Sequence, residues 1–128
     1  MRRGRKIAWY LLLGWTILTA IALTVPIDGM PRVVGRGFDK VVHTTLFTIM
    51  GSLAQAATPW YSLLVALPIA IVMEYVQTRL PHRTYDRVEL AANIVGVLLG
   101  IGCYEIAVRL GGRVPSDGRM RSSGTRTT

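Results

Sequence analysis

Four apolar stretches, residues 7–25, 41–57, 60–77 and 90–108, fill most of this 128-residue chain, and their lengths constrain its fold more than any motif does. A helix of about 20 apolar residues crosses the hydrocarbon core of a bilayer. Four such helices leave room for one domain, residues 1–110, followed by a Ser-, Gly- and Arg-rich segment, 111–128, expected to be a disordered basic tail. The expected fold class is therefore all-α: a polytopic membrane protein with four transmembrane helices in a compact bundle. Composition agrees, because 51% of residues are hydrophobic and only 17% charged, against roughly a quarter charged in soluble domains. The net charge of +8 does not signal nucleic acid. Its basic residues gather at the two ends beside apolar runs, not on a recognition helix, so no nucleic-acid partner is expected. Cys103 is the only cysteine and sits within an apolar run, which excludes an intramolecular disulfide or a thiolate metal cluster.

The first run follows a leader containing Arg2, Arg3, Arg5 and Lys6. Ala20-x-Ala22 resembles a signal-peptidase site, but the run exceeds the usual apolar core of a signal peptide, about 7 to 15 residues. A retained anchor is the expectation. Residues 26–38, with two prolines and three glycines, read as a loop. In the second run Lys40, Thr44, Thr48, Gly51 and Gln55 share one helical face with His43 beside it, a face suited to other helices and not to lipid. Thr58 and Pro59 read as an N-cap and first residue of the third helix, and Pro68 as a kink within it. Nine Lys and Arg residues fall in the leader and tail, and six in the two polar connectors. By the positive-inside rule both termini are expected to be cytoplasmic and the polar connectors outside, with Trp9, Tyr10, Trp60 and Tyr61 at the cytoplasmic interface.

The remaining polar residues are concentrated in two places. Asp39, Lys40 and His43 open the second run; Glu74 and Gln77 close the third, and the cluster continues through Arg83, Asp86 and Glu89 to Asn93. Ionisable groups at membrane depth are costly and mark sites. Simpler roles compete with that reading. Asp39 is a candidate cap for the second helix, and Asp86-x-x-Glu89 has the spacing of a capping box. His43 can be a packing histidine, and Glu74 can snorkel to the outer interface. Left without compensation, the Glu74 carboxylate would cost roughly 2.5 to 3.5 kcal/mol, so a partner is expected from Gln77, Thr78, Arg83 or His43. On the fourth run Glu89, Asn93, Gly96, Gly100 and Cys103 share a face, and Gly96-x-x-x-Gly100 permits close helix packing. Glu105 lies off that face, four residues before Arg109, and is read as an interfacial ion pair outside the site.

Taken in order, Asp39-Lys40-x-x-His43, Glu74-x-x-Gln77 and Pro81-x-Arg83-x-x-Asp86-x-x-Glu89-x-x-x-Asn93-x-x-Gly96 resemble the VanZ-like family of small bacterial membrane proteins, named for a teicoplanin-resistance protein. The likeness runs from residue 39 to about residue 100. Glu89 departs from it, because the family usually has Asp there, and Thr44 stands where an aromatic is common. The resemblance implies a multi-pass protein of the bacterial cytoplasmic membrane with an envelope-facing role, and suggests a link to glycopeptide resistance. It supplies no mechanism.

Three classes of function follow. The first binds or modifies a cell-wall precursor or lipid-linked ligand through an outer pocket, with Lys40 and Arg83 suited to phosphate or carboxylate. The second is an intramembrane enzyme using Glu74 or His43 as base and Asp86 or Glu89 as partner. The third is an assembly protein whose charges fix helix register. His43 and His82 have no compact ligand spacing, so neither a metal nor another cofactor is expected. The expected partners are the lipid bilayer and a cell-wall precursor or lipid-linked ligand; glycine faces serve contacts within and between chains equally, which leaves the oligomeric state open.

Overall fold

The computed structural model describes residues 2–24, 35–80 and 86–112. They form four helices: α1 (Arg2–Thr24), α2 (Gly35–Ala57), α3 (Ser62–Thr78) and α4 (Arg87–Gly111). Each expected helix is present, but the ends differ for local reasons. The basic leader is helical because Arg and Lys are good helix formers and outnumber the single Gly4 among them, so α1 starts ahead of its apolar run. α2 likewise begins at Gly35 and takes in the last four residues of the expected loop. Asp39 thus lies inside the helix and does not cap it, which corrects the capping role considered for it.

The α2–α3 connection is also rearranged. Thr58 does not cap α3; its Oγ1 donates to the Ala54 carbonyl 2.9 Å away, and its amide donates to the same carbonyl, closing α2. Pro59 and Trp60 form the turn, and α3 starts at Ser62 behind Tyr61, which makes no side-chain cap. α3 then runs unbroken through the exposed Pro68. Expectations placed on Arg83, His82 and the tail beyond Gly112 lie outside the described residues.

α2 and α4 make the most extensive contact in the fold, α2 and α3 touch every other helix, and α1 and α4 do not meet. The pairing of α2 with α4 is parallel: Thr44 lies by Gly96, Thr48 by Gly100, and Gln55 bonds Glu105. α3 runs back between their ends, with Ser62 hydrogen-bonded to Gln55. α1 is fastened to α2 by Trp15, whose Nε1 donates to the Leu46 carbonyl at 3.0 Å.

The glycine stripe makes the α2–α4 approach possible. A Cβ on Gly96 would lie 2.6 Å from the Thr44 carbonyl oxygen, and a Cβ on Gly100 would overlap that of Thr48. Gly51 makes the reciprocal approach from α2 to the Val97 carbonyl. Backbones this close bring polar groups within reach, and Ser52 Oγ donates to the Gly100 carbonyl at 2.9 Å.

The interior combines one aromatic with small and medium apolar residues: Phe47, Met50, Ala54, Ala66, Ala70 and Val97 are fully buried. The outside is also apolar. Leu11, Leu18, Leu64, Val72, Leu98 and Ile106 are among many large hydrophobic side chains that face outward. A soluble monomer rarely exposes contiguous apolar surface on this scale. Two helices, α1 over Arg3–Thr24 and α4, are long and apolar enough to cross a membrane.

Candidate functional site

The chain's buried polar side chains are sorted to the two ends of the bundle by helix periodicity. On α3 the inward stripe reads Ser62, Ala66, Ala70, Met73, Glu74 and Gln77, polar at both ends and small in the middle. The N-terminal turns of α2 and α4 and the C-terminal turns of α3 share one end. There His43, Glu74, Gln77 and Asn93 are all at most 2% exposed.

His43 is the centre of this group. Its Nδ1 lies 2.9 Å from Asn93 Oδ1, and because an amide oxygen can only accept, the imidazole donates from Nδ1. Nε2, on the other side of the ring, lies 3.7 Å from Asp39 Oδ1. Spacing of four on α2 stacks Asp39 and His43 on one face. Glu89 arrives from α4, so that one ligand atom from each of Asp39, His43 and Glu89 lies within 4.8 Å of the others. Asp39 and Glu89 are half-buried and form the rim of this cluster, whereas His43 is its floor.

Glu74 and Gln77 flank the cluster from α3. Glu74 is 2% exposed, so its carboxylate does not run out to the surface as a snorkelling side chain would. It borders a groove of about 350 Å³ between α3 and α4, lined also by Ile71, Tyr75, Thr78 and Leu90. Thr78 is not its partner, since the Thr78 hydroxyl donates to the Tyr75 carbonyl. Among the described residues both polar atoms of Gln77, Nδ2 of Asn93 and Nε2 of His43 are buried without a hydrogen bond. Such atoms cost about 1 to 3 kcal/mol each when left unsatisfied and call for a ligand or water.

The other expected site residues are placed differently. Lys40 is half-buried on α2 one turn before Thr44, whose hydroxyl bonds the Lys40 carbonyl at 2.8 Å. Asp86 is the N-cap of α4, its Oδ1 accepting from the Val88 amide at 2.8 Å. That engagement accounts for its presence. Asp86→Ala should lower stability by about 1 kcal/mol, the usual worth of an N-cap, read as a modest drop in the unfolding temperature of the detergent-solubilised protein. Asp86→Asn should restore it. Arg83 lies outside the described residues.

A second polar cluster at the opposite end was missed by counting. Gln55 Nε2 donates to Glu105 Oε1 at 2.6 Å, Ser62 Oγ donates to Gln55 Oε1, and Arg109 Nε lies 3.8 Å from Glu105 Oε2. The Glu105–Arg109 pair read from the sequence is there. What the spacing did not reveal is that Glu105 also reaches across to α2. The polar face of α2, which includes Gln55, was the available signal.

Comparison of the chain with protein-family models, curated proteins and solved structures finds no match.

Proposed function

We propose that this chain is a VanZ-like protein of the bacterial cytoplasmic membrane, spanning it four times with both termini cytoplasmic. On this reading its His43 end opens to the outer side and binds or modifies a cell-wall precursor or another lipid-linked ligand. One observation carries the reading: buried polar side chains of α2, α3 and α4 gather at one end of a bundle whose exterior is apolar. α3, at 17 residues, is at the short limit for a span of about 17 to 25. α2 carries its charges only near its start, where they meet the interface. The groove beside Glu74 offers an apolar wall for an acyl or prenyl chain; Lys40, half-buried on α2 and not part of the groove lining, is the cation proposed for the head group.

Reporter fusions test the topology. Fusions at Ala57 and Gly112 should report the cytoplasm, and one within 81–85 the outside; the reverse or a shared side for all three defeats the proposal. Binding is tested on the purified chain in detergent with a polyprenyl phosphate, using the uncharged polyprenol as control. At one hundred times its dissociation constant the phosphate should add about 2.7 kcal/mol of stability, and Lys40→Ala should remove the difference between the two lipids. Equal effects of phosphate and alcohol would mean that only the chain is sensed.

A second reading, acid–base catalysis, draws on the placement of His43 between Asp39 and Asn93, a base with its orienting group. Glu74→Gln and His43→Ala then separate the classes. An enzyme loses turnover while inserting normally, whereas an assembly protein loses abundance.

A further inference from the structure

The Asp39, His43 and Glu89 cluster has a geometry that neither helix pattern contains alone. Two oxygens and one nitrogen approach one another to within 4.8 Å. Atoms bound tetrahedrally to a common metal at about 2.0 to 2.2 Å lie roughly 3.3 to 3.6 Å apart, so rotation of the two carboxylate side chains that moves their oxygens by about an ångström closes the set. The second, independent observation is the orientation of His43. It is fully buried, its Nδ1–H is held by Asn93 Oδ1, and its Nε2 makes no hydrogen bond while facing the carboxylates. A metal-binding histidine characteristically donates its other ring N–H to a carbonyl or carboxylate, which fixes the tautomer and aims the lone pair.

We propose that Asp39, His43 and Glu89 bind a single divalent transition-metal cation, with Asn93 as the positioning residue for His43. One imidazole with two carboxylates suits Zn²⁺ or Mn²⁺; the nitrogen donor disfavours Mg²⁺ and Ca²⁺, which take oxygen sets. Three protein ligands leave coordination positions for water or for an oxyanion of a ligand. The scaffold is rigid where it must be. Asp39 and His43 share a face of α2, and the glycine contact between α2 and α4 fixes how far Glu89 stands from them. The inference rests on the reading of this end of the bundle as a binding site, but not on which lipid or wall fragment enters it.

The test uses the full chain, freed of any affinity tag, stripped with chelator in detergent and titrated with Zn²⁺ and Mn²⁺ alone. About one equivalent of cation should bind the wild-type chain and raise its unfolding temperature. Glu89→Gln and Asp39→Asn should abolish the bound equivalent, and Glu105→Gln should not change it. Asn93→Ala should weaken affinity by about 10- to 100-fold, and Asn93→Asp, which still accepts from Nδ1–H, should restore it. Co²⁺ substitution gives a readout independent of folding assays, through ligand-field bands of a mixed nitrogen and oxygen set. A wild-type chain that binds less than a tenth of an equivalent overturns the proposal, and so does an equivalent that survives in Glu89→Gln. In either case the carboxylates are balanced by protons or cationic side chains of the chain itself. Loss of cation binding with retained response to polyprenyl phosphate would defeat the metal site and leave the proposed function standing; the opposite pattern would do the reverse.

Discussion

Gly100→Ala should sharply destabilise this protein, while Gly102→Ala, two residues along the same helix, should not. A Cβ at Gly100 would overlap the Thr48 carbonyl and crowd the Ser52 amide, both backbone atoms that cannot rotate aside. At Gly102 nothing lies within 4 Å. Overpacking a tight interface costs about 1 to 3 kcal/mol and occasionally more, and here the obstruction is the facing helix itself, so the upper part of that range applies. α2 and α4 would have to separate, breaking the Ser52 bond to the Gly100 carbonyl and shifting Glu89 away from His43. The measurement is the fraction of detergent-solubilised protein that stays monodisperse after heating. A Gly100→Ala protein that survives as well as Gly102→Ala would show that the two helices are not in this contact.

Asn93→Ala should be the second costly change. Asn93 and His43 are both fully buried, and removal of the amide leaves His43 Nδ1 without its acceptor. An orphaned buried group costs about 1 to 3 kcal/mol, whereas replacing both partners with apolar groups of similar shape can be nearly neutral. The double variant His43→Phe with Asn93→Leu should therefore recover most of the stability lost in Asn93→Ala. Thermal unfolding of the single and double variants measures this. If the double variant is as unstable as the single one, the pair holds the fold together for reasons other than their mutual bond. If it is stable but inert in ligand and cation binding, the polar pair serves a site.

The same residues show how far a linear reading reaches. Four helices were legible because apolar runs of this length have few other solutions, and the glycine spacing at 96 and 100 announced a close contact. His43, Glu74, Gln77 and Asn93 stood out because polar groups are rare and costly within such runs. Helix ends were less legible. Asp39 and Thr58 are good caps by residue type, but each was overruled: Gly35 to Phe38 continue the helix before Asp39, and Thr58 turns back to Ala54.

Partnership was legible within a helix, as for Glu105 and Arg109, but between helices only as a choice of candidates. His43 and Glu89 are far apart in the chain, and no spacing rule relates α2 to α4 across an intervening helix. In the sequence His43 and His82 have no compact ligand spacing, so no metal is expected from it. Glu105 was assigned to Arg109 four residues on, and its stronger bond to Gln55 on α2 went unseen.

By itself the amino-acid order determined that this chain is helical, which faces are small or polar, and which side chains are too costly to be incidental. Those properties depend on a residue and its neighbours within a turn or two. Only the tertiary structure decided that α2 and α4 lie parallel and in backbone contact, and so which of those side chains meet. Helix registry is set by carbonyl and Cα packing at Gly51, Gly96 and Gly100, a fit between two surfaces that neither segment specifies alone.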